Sequence, residues 1–326
     1  MTVSIIIPVK TWQSNLEECI QRCRELDYSN FEILVFPDEA GAVLASSNIL
    51  NTKGAVPVRI VPSGRATPAQ KRDMAIGHAE GEIFAFIDDD AYPRKDWLKN
   101  AVINFEDPQV GAVGGPAITP QEDTLRQRAS GMVYSSFLVS ANFTYRYLPK
   151  KRREVNDYPS CNFLVRKSVM QELGGFKTNF WPGEDTKFCL DIIQKLGRKI
   201  IYDPDVLVYH HRRPLFLAHL KQVASYALHR GYFVKKYPQT SFKLAYFVPS
   251  LFLLYVLSGG ILACFLAPLR TTYIFILILY LSLAFVFSIS NELRMLPLVF
   301  SGIILTHLTY GFNFLKGLLS IRLREE

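Results

Sequence analysis

Residues 81–93 read GEIFAFIDDDAYP, a glycine followed by an apolar run and then by three consecutive aspartates. The run from Glu82 to Ile87 has the length and composition of a buried strand. Upstream, Thr67 as N-cap and Pro68 at the first helical position predict a helix that Gly81 ends. Ligands of open α/β sheets bind beyond the carboxyl ends of the strands, so this stretch predicts a sheet edge that carries a functional site.

Apolar runs alternate with helical patterns over residues 1–211, which is typical of a largely parallel sheet covered by helices. Ser14 and Glu17 form a capping-box pattern before a helix whose apolar face includes Cys19 and Cys23. We therefore expect these cysteines to be buried core thiols. The other predicted elements are strands over Val3 to Val9, Phe31 to Phe36, Val56 to Val61, Val110 to Val113 and Lys199 to Tyr209, and a helix over Glu184 to Leu196.

The last third of the chain is strongly apolar. The 326 residues include 37 Lys and Arg and 29 Asp and Glu, yet only Arg270, Glu292 and Arg294 are charged between residues 244 and 315. A helix needs roughly 20 apolar residues to cross a hydrocarbon layer of about 30 Å. We predict an α-helical membrane region with three hydrophobic segments, at Leu244 to Leu269, Thr271 to Asn291 and Met295 to Leu315.

The sequence leaves the number of true crossings open. Three crossings would place Lys316, Arg322 and Arg324 opposite a cytoplasmic soluble domain, against the positive-inside rule. A hairpin with one re-entrant or interfacial segment would keep these residues on the same side. The five cysteines form no disulfide framework and no charged leader precedes the first strand, so we expect an integral membrane protein with a cytoplasmic, reduced soluble domain.

Composition divides the chain into three predicted regions. Residues 1–211 form an α/β domain, residues 212–243 an amphipathic or juxtamembrane helical segment, and residues 244–326 the membrane helices with a short basic tail. In the middle region, apolar residues recur at helical spacing from Leu217 to Gly231. That helix is expected either to lie on the bilayer surface or to pack against a core, and both alternatives stay open.

The net charge of +8 is compatible with nucleic acid, anionic lipid or a phosphorylated small substrate. The sequence has neither zinc-finger spacing nor an RNA-binding aromatic motif, which disfavours nucleic acid. Basic pairs at Arg212-Arg213 and Lys235-Lys236 lead into the apolar third. Because such residues favour anionic headgroups, we expect membrane lipids, and not nucleic acid, as partners.

Three polar clusters are candidates for chemistry. The carboxylates of Asp88, Asp89 and Asp90 would repel one another without a cation, and oxygen ligands favour Mg²⁺ or Mn²⁺; the alternative is an exposed acidic turn. The pair Glu184-Asp185 begins a helix, where a carboxylate stays ionised and can accept a proton or simply cap the helix. In His210-His211-Arg212-Arg213, an imidazole could complete a metal shell and the guanidinium groups could bind phosphate, or all four could be ordinary surface residues.

The order of these clusters resembles that of the family-2 glycosyltransferases, which have the GT-A fold. The resemblance covers roughly residues 3 to 232 and rests on SIIIPVK in the first strand, KRDMAIGHAEGEIFAFIDDDAYPRKDWL at 71–98, GGPAI from Gly114, CNFLVRKSVMQELGGF at 161–176 and WPGEDTKFCLDIIQKLGRKIIYDPDVLVYHH at 181–211. It implies a mostly parallel GT-A-type sheet flanked by helices, followed here by the membrane region.

The resemblance also implies site residues. Asp88-Asp89-Asp90 matches the DxD element that binds nucleotide-sugar and metal, with Asp90 contacting the ion and Asp88 the ribose or the ion. Asp185 would be the general base and Glu184 would position the acceptor. The remaining implied residues are His210 or His211 for the metal, and Pro8, Asp38 and Arg72 for the nucleotide.

Two departures from the family pattern bear on the nucleotide. The turn after the second strand reads Phe36-Pro37-Asp38-Glu39-Ala40 instead of an Asp-Asp-Gly-Ser type, so the nucleotide base is not specified by this motif. The triplet Lys71-Arg72-Asp73 replaces the commoner small-Arg-Asn, and Arg72 carries the resemblance better than Asp73.

The implied activity is inverting, metal-dependent transfer from a nucleotide-sugar to a hydroxyl of a lipid-linked membrane acceptor. A general base at Asp185 favours a hydroxyl, because a phosphate acceptor is already anionic. The alternatives are a polyprenyl-phosphate glycosyltransferase that makes a monosaccharide-phosphate lipid, and a non-catalytic membrane scaffold or sensor on the same fold. A processive polysaccharide synthase is disfavoured, since the sequence has no Gln-x-x-Arg-Trp element.

Overall fold

The computed structural model describes residues 1–39 and 56–325, which divide into two compact units. The first unit is built chiefly from Met1–Ile118 and Leu148–His211, and the second from Thr119–Tyr147 and Arg212–Arg324. The second unit therefore includes a segment that interrupts the first in sequence.

Strands of the first unit form two sheets. They are β1 (Val3–Pro8), β2 (Phe31–Phe36), β3 (Val58–Ile60), β4 (Ile83–Ile87), β5 (Ala91–Pro93), β6 (Val110–Gly114), β7 (Ala117–Ile118), β8 (Arg153–Glu154), β9 (Asn162–Arg166), β10 (Lys199–Tyr202) and β11 (Val208–His210). Within the described residues the larger sheet has eight strands in the order β3-β2-β1-β4-β9-β6-β10-β8, and the smaller has the order β5-β11-β7. Because β1, β2 and β4 are parallel, the residues that follow them meet at one sheet edge.

Helices occur in both units. They are α1 (Ser14–Arg24), α2 (Pro68–His78), α3 (Trp97–Asn104), α4 (Leu125–Ser135), α5 (Phe137–Ser140), a 3₁₀ helix (Ala141–Arg146), α6 (Lys167–Leu173), α7 (Glu184–Leu196), α8 (Leu217–Lys236), α9 (Pro238–Ser241), α10 (Leu244–Phe265), α11 (Ala267–Val286) and α12 (Met295–Leu319). The predicted bounds of α7 are those observed, and Gly197 follows it in the left-handed conformation.

Helix α1 packs its apolar face on the larger sheet, and Cys19 and Cys23 lie in that core as free, fully buried thiols. The predicted capping box at its start is wrong. Gln13 is the N-cap and makes no side-chain capping hydrogen bond, while Glu17 Oε1 accepts instead from Trp12 Nε1 at 2.6 Å. The Glu17 carboxylate therefore accepts a hydrogen bond from the Trp12 indole, and not from a backbone N–H as the predicted capping box required.

The predicted start of α2, with Thr67 as N-cap and Pro68 in the first turn, is confirmed, and Thr67 also forms a capping box that was not predicted. Thr67 Oγ1 accepts from the Gln70 N–H, and Gln70 Oε1 accepts from the Thr67 N–H at 2.8 Å. The helix ends at His78, before Gly81. Gly81 instead allows a close approach to β1, because a Cβ there would lie 2.5 Å from the Ser4 nitrogen.

Two strands differ from prediction. The single strand expected over Lys199 to Tyr209 is in fact β10 and β11, in different sheets, because Asp203 to Asp205 turn the chain and Pro204 has no N–H to donate. Strand β9 was not predicted; it runs antiparallel between β4 and β6 and makes the sheet mixed. Its short apolar run, FLV, carries no turn signal that separates it from α6.

The second unit contains three helices long and apolar enough to cross a membrane: α10 with 22 residues, α11 with 20 and α12 with 25. They correspond to the three predicted segments. Helix α12 is the most buried of the three because Val299 and Ile303 pack with Ala129 and Val133 of α4.

Helix α8 packs against a core, which is one of the two alternatives the sequence left open. A Cβ on Gly231 would lie 2.1 Å from the carbonyl oxygen of Phe314, so α8 and α12 cross closely there. His219 of α8 is fully buried between Ser130 Oγ at 2.8 Å and Thr306 Oγ1 at 2.9 Å. Burial lowers the pKa of His219 to about 4, so this imidazole is neutral.

The boundary of the first unit at His211 coincides with the end of the predicted 1–211 domain, but residues 119–147 pack in the second unit. Helix α4 carries Arg126 and Arg128 as well as the buried Ala129 and Val133. Because α4 carries both charged and apolar residues, its hydropathy did not indicate that it would pack beside the apolar helix α12.

Candidate active site

The three aspartates follow β4 directly and are directed to different partners. Asp88 Oδ1 accepts from Arg72 Nη2 at 2.8 Å, and Asp90 Oδ1 lies 3.0 Å from His210 Nε2. Asp89 Oδ2 accepts from the Gln13 side chain in the loop before α1. Asp89 therefore contacts the loop before α1, whereas Asp88 and Asp90 contact Arg72 and His210.

Asp88, Asp90 and His210 form a set that fits a divalent cation. Each offers one ligand atom, and these atoms lie within 4.8 Å of one another. The small sheet explains the arrangement, since β11 pairs with β5 so that His210 lies opposite Ala91, next to Asp90. Two carboxylates and one imidazole are suitable ligands for Mn²⁺ or Mg²⁺, with Mn²⁺ accepting the nitrogen more readily.

The structure distinguishes the two histidines that the sequence left equivalent. His211 Nε2 lies 3.1 Å from Glu18 Oε2, and its ring packs 5.6 Å from that of Tyr92. The backbone N–H of His211 donates to the Asp90 carbonyl at 2.9 Å. His210, and not His211, therefore belongs to the carboxylate set, and His211 holds the strand in place beside it.

Asp89 has an unusual proton affinity. Burial, together with the charges of Asp90 and Asp88, raises its pKa to about 7, although the hydrogen bond from Gln13 opposes the shift. A cation between Asp88 and Asp90 would relieve this repulsion. The mutual repulsion of the three carboxylates therefore favours the binding of a cation at this turn.

Arg72 joins the acidic triplet to the second acidic pair. It lies on α2, is 2% exposed, and donates from Nη2 to Asp88 and from Nη1 to Glu184 Oε1 at 3.3 Å. Burial opposes its charge, yet the charges of Asp88, Glu184 and Asp185 raise the pKa of the guanidinium above its usual value. One buried cation thus brings residues 88 and 184 to a single site.

Glu184 is 5% exposed and its Oε2 atom has no hydrogen-bond partner among the described residues. Burial and the neighbouring Asp185 charge raise its pKa to about 7, against the attraction of Arg72. Glu184 therefore changes charge near neutral pH, while its Oε2 atom is enclosed by the protein.

Asp185 is half-buried in the first turn of α7. The N-cap is Gly183 at φ 117°, in the region that L side chains rarely adopt, so the turn before the pair requires glycine. Asp185 Oδ1 accepts from the Thr186 N–H at 2.7 Å, and the helix dipole favours the ionised carboxylate. This arrangement supplies a proton acceptor next to Glu184.

The residues expected at the nucleotide lie at the edge where β1 and β2 end. Pro8 closes β1, and Asp38 follows β2 by two residues. Asp38 Oδ1 accepts from Lys71, a buried residue of α2 that also donates to the Val9 carbonyl. Lys71 therefore holds the Asp38 carboxylate in place. The sequence analysis gave Lys71 no role, although a lysine next to Arg72 on the same helix was a signal that could have indicated one.

Asp73 was set aside in the sequence analysis and has a structural role. Its Oδ1 accepts from the Phe176 N–H at 2.7 Å, and a Cβ on Gly175 would lie 2.3 Å from that same oxygen. The Phe176 ring in turn lies 5.8 Å from the Arg72 guanidinium. Asp73 thus anchors the loop that packs against Arg72.

The two arginines predicted to bind phosphate belong to the second unit. Arg212 is buried, with its guanidinium 5.2 Å from the Tyr147 ring and 5.9 Å from the Tyr134 ring. Arg213 is exposed. They are placed next to His211 in sequence, and their predicted contact with phosphate stays a prediction.

Comparison with known proteins identifies the family. The family described as Glycosyl transferase family 2 matches residues 4–174. The pre-mycofactocin glycosyltransferase of Mycobacterium tuberculosis (strain CDC 1551 / Oshkosh) is 26% identical over 212 residues, 65% of this chain; the match spans only 43% of that relative's length. A Methanococcus voltae relative, dolichyl N-acetyl-alpha-D-glucosaminyl phosphate 3-beta-D-2,3-diacetamido-2,3-dideoxy-beta-D-glucuronosyltransferase, is 24% identical over 243 residues, 72% of this chain and 74% of its own.

A solved structure shares the fold. The mannosyltransferase PcManGT from Pyrobaculum calidifontis, in complex with GDP-Man and Mn²⁺, has a TM-score of 0.68 and 19% sequence identity, over 98% of this chain and 88% of its own. The predicted GT-A-type fold with C-terminal apolar helices is confirmed.

Proposed function

The chain belongs to glycosyl transferase family 2, and we propose that it transfers a sugar from a nucleotide-sugar donor to a hydroxyl of a lipid-linked acceptor, with inversion and with a divalent metal ion. The observation that carries this proposal is the Arg72 bridge, 2.8 Å to Asp88 and 3.3 Å to Glu184. It links Asp88 of the candidate cation site to Glu184, the residue next to the candidate base Asp185, and transfer to an alcohol needs both a cation and a base.

The cation set supports metal dependence. A Mn²⁺ or Mg²⁺ ion held by Asp88, Asp90 and His210 would neutralise the negative charge that builds on the departing diphosphate. The P. calidifontis structure contains Mn²⁺, which agrees with this donor set. Asp89, Pro8 and Asp38 lie along the same sheet edge and would contact the nucleotide-sugar.

Asp185 would act as the base. Its carboxylate removes the proton from the acceptor hydroxyl as that oxygen bonds to the anomeric carbon, and the bond from that carbon to the diphosphate breaks. Attack on the face opposite the leaving group inverts the configuration. Glu184 would position the acceptor, and Arg72 balances the charges of Asp88 and Glu184.

The acceptor proposal rests on the membrane helices and on a relative. The M. voltae protein is named for transfer to a dolichyl-phosphate-linked sugar, which carries hydroxyl groups. Three helices of this chain could cross a membrane that contains such a lipid. We propose that the first unit is cytoplasmic, a proposal that its free thiols, Cys19, Cys23, Cys161 and Cys189, support.

The test is Asp185→Asn in the full chain, purified in detergent with Mn²⁺. Turnover of a nucleotide-sugar onto a prenyl-linked saccharide should fall about a thousandfold, because the general base is lost, while donor binding changes little. Glu172→Gln, an exposed carboxylate of α6, is the matched control and should behave as wild type.

Unchanged turnover in Asp185→Asn would remove the base assignment. Transfer to bare prenyl phosphate in preference to the saccharide would instead support the polyprenyl-phosphate glycosyltransferase. Metal-dependent donor binding without turnover onto either lipid would favour the non-catalytic sensor.

A further inference from the structure

One aromatic side chain of the first unit is conspicuously accessible. Among the described residues of that unit, the large hydrophobic side chains that are exposed are Met1, Ile103, Leu148 and Trp181, and Trp181 is the aromatic one at 56%. Large aromatic rings contribute most to folding when they are buried. An exposed ring next to candidate site residues is therefore a candidate ligand contact.

Trp181 lies beside the proposed base. It precedes Asp185 by four residues, so their Cα atoms are no more than about 15 Å apart. Phe180 before it and Glu184 after it are both buried, and Gly183 makes the turn into α7. The backbone on both sides of the indole is thus anchored, and the ring itself is left for solvent or ligand.

The chemistry of a sugar ring suits this position. A pyranose has one face of C–H groups, which buries against a flat aromatic ring, while its hydroxyls at the edge remain free to meet carboxylates. At Trp181 those carboxylates would be Glu184 and Asp185. The proposed nucleotide residues lie on other elements, since Pro8 ends β1 and Asp38 follows β2, so we associate the ring with the acceptor half of the site.

We propose that Trp181 packs against a sugar ring of the acceptor and thereby selects a lipid-linked saccharide over a bare prenyl phosphate. This inference rests on the proposed function, and it assigns a specificity residue that acts through binding and not through the chemical step. The indole distinguishes the two lipids because only one of them presents a C–H face.

The experiment measures equilibrium binding in the absence of donor. The probes are a short prenyl phosphate that carries N-acetylglucosamine and the same prenyl phosphate without sugar, added to the full chain in detergent. Wild type should bind the sugar-bearing lipid about tenfold more tightly, as expected for one stacked ring. Trp181→Ala should remove this preference, and Trp181→Phe should retain part of it.

Ile103→Ala is the matched control, because Ile103 is equally exposed, at 57%, on a helix without site residues. Fluorescence gives a second readout: the chain has three tryptophans, Trp97 is fully buried and Trp12 half-buried, so the sugar-bearing lipid should blue-shift emission in wild type and not in Trp181→Phe. Since the ring is exposed, we expect unchanged melting temperatures.

Two results would overturn the inference: a full sugar preference in Trp181→Ala, or an equal loss of affinity for both lipids, which would indicate contact with the prenyl chain. The proposed function fails separately. If wild type turns over no nucleotide-sugar but the binding pattern holds, the stacking stands; if turnover occurs and the pattern is absent, only the stacking is refuted.

Discussion

The two units differ in charge and in what they expose. The second unit, 119–147 with 212–324, has 15 Lys and Arg against 3 Asp and Glu, a net +12, which leaves −4 for the rest of the chain's total of +8. Beyond the four exposed large hydrophobic side chains of the first unit, the others among the described residues lie in the second. The candidate active site thus lies in an acidic unit, and the features that suit an anionic membrane lie in a basic, apolar one.

Within the acidic unit, two arginines each bridge two carboxylates, one arginine buried and the other exposed. Arg72 contacts Asp88 and Glu184 at the site, whereas Arg59 contacts Glu32 and Glu80 at the surface with 44% of its side chain exposed. Removing the arginine should destabilise the protein strongly at the buried bridge, where water is excluded, and only weakly at the exposed one.

The largest effect is expected at the cation set. Asp90→Asn removes one of two carboxylate ligands, so turnover in Mn²⁺ should fall about a thousandfold or more, and added Mn²⁺ should no longer stimulate it. Turnover is measured with nucleotide-sugar and a prenyl-linked saccharide over a Mn²⁺ titration. Asp107→Asn, an exposed carboxylate of the same unit, should leave the titration unchanged. Full Mn²⁺ stimulation in Asp90→Asn would exclude this ion site.

Arg72→Met should have the next largest effect. Leaving Glu184 and Asp88 without their cation costs on the order of 3 kcal/mol, so we expect a loss of turnover of about a hundredfold and a lower melting temperature. Arg59→Met is the surface counterpart. It should change turnover by no more than about a factor of two and leave the melting temperature nearly unchanged. Equal effects of the two substitutions would show that burial does not make the Arg72 bridge more important than the Arg59 bridge.

A smaller effect concerns pH. Because the pKa of Glu184 is raised to about 7, its carboxylate is neutral below that pH and pairs with Arg72 as an ion only above it. Turnover of wild type should therefore rise between pH 6 and 8. Glu184→Gln should lose the inflection near pH 7 and reach about a tenth of the maximal rate.

Asp89 also has a pKa of about 7, so the variant, and not the wild-type profile, assigns the inflection. Glu172→Gln should retain the wild-type profile. An unaltered inflection in Glu184→Gln would assign the titration to another group.

The smallest effect tests the charge difference between the units. Lys235→Met with Lys236→Met removes two charges from the second unit, and Lys150→Met with Lys151→Met removes two from the first. At about 1 kcal/mol per basic residue near a membrane, the first pair should reduce the preference for phosphatidylglycerol over phosphatidylcholine by up to about thirtyfold, measured by native mass spectrometry. The second pair should not. Equal losses would mean that total charge, and not its location, determines lipid retention.

Much of the first unit was predictable because its signals are local. The strand before Asp88, the Thr67 N-cap and the bounds of α7 depend on apolar runs, a proline and a glycine that are adjacent in sequence. The site residues at strand and helix ends follow from these elements and from the family motifs.

What was not predictable depends on long-range contacts. Strand β9 is placed by pairing with β4 and β6, and His210 is distinguished from His211 only by the register of β11 against β5. The Arg72 bridge spans 112 positions to Glu184. Burial of α4 beside α12 likewise comes from tertiary packing, since its own sequence is amphipathic.

Electron paramagnetic resonance of Mn²⁺, with nucleotide-sugar present, tests the cation site of Asp88, Asp90 and His210 in the full chain and four variants. We expect Asp90→Asn and His210→Gln to lose the bound signal, and His211→Gln and Asp185→Asn to retain it, the last with turnover lower by about a thousandfold. A bound signal that survives Asp90→Asn and His210→Gln, or that is lost in His211→Gln, would contradict this assignment.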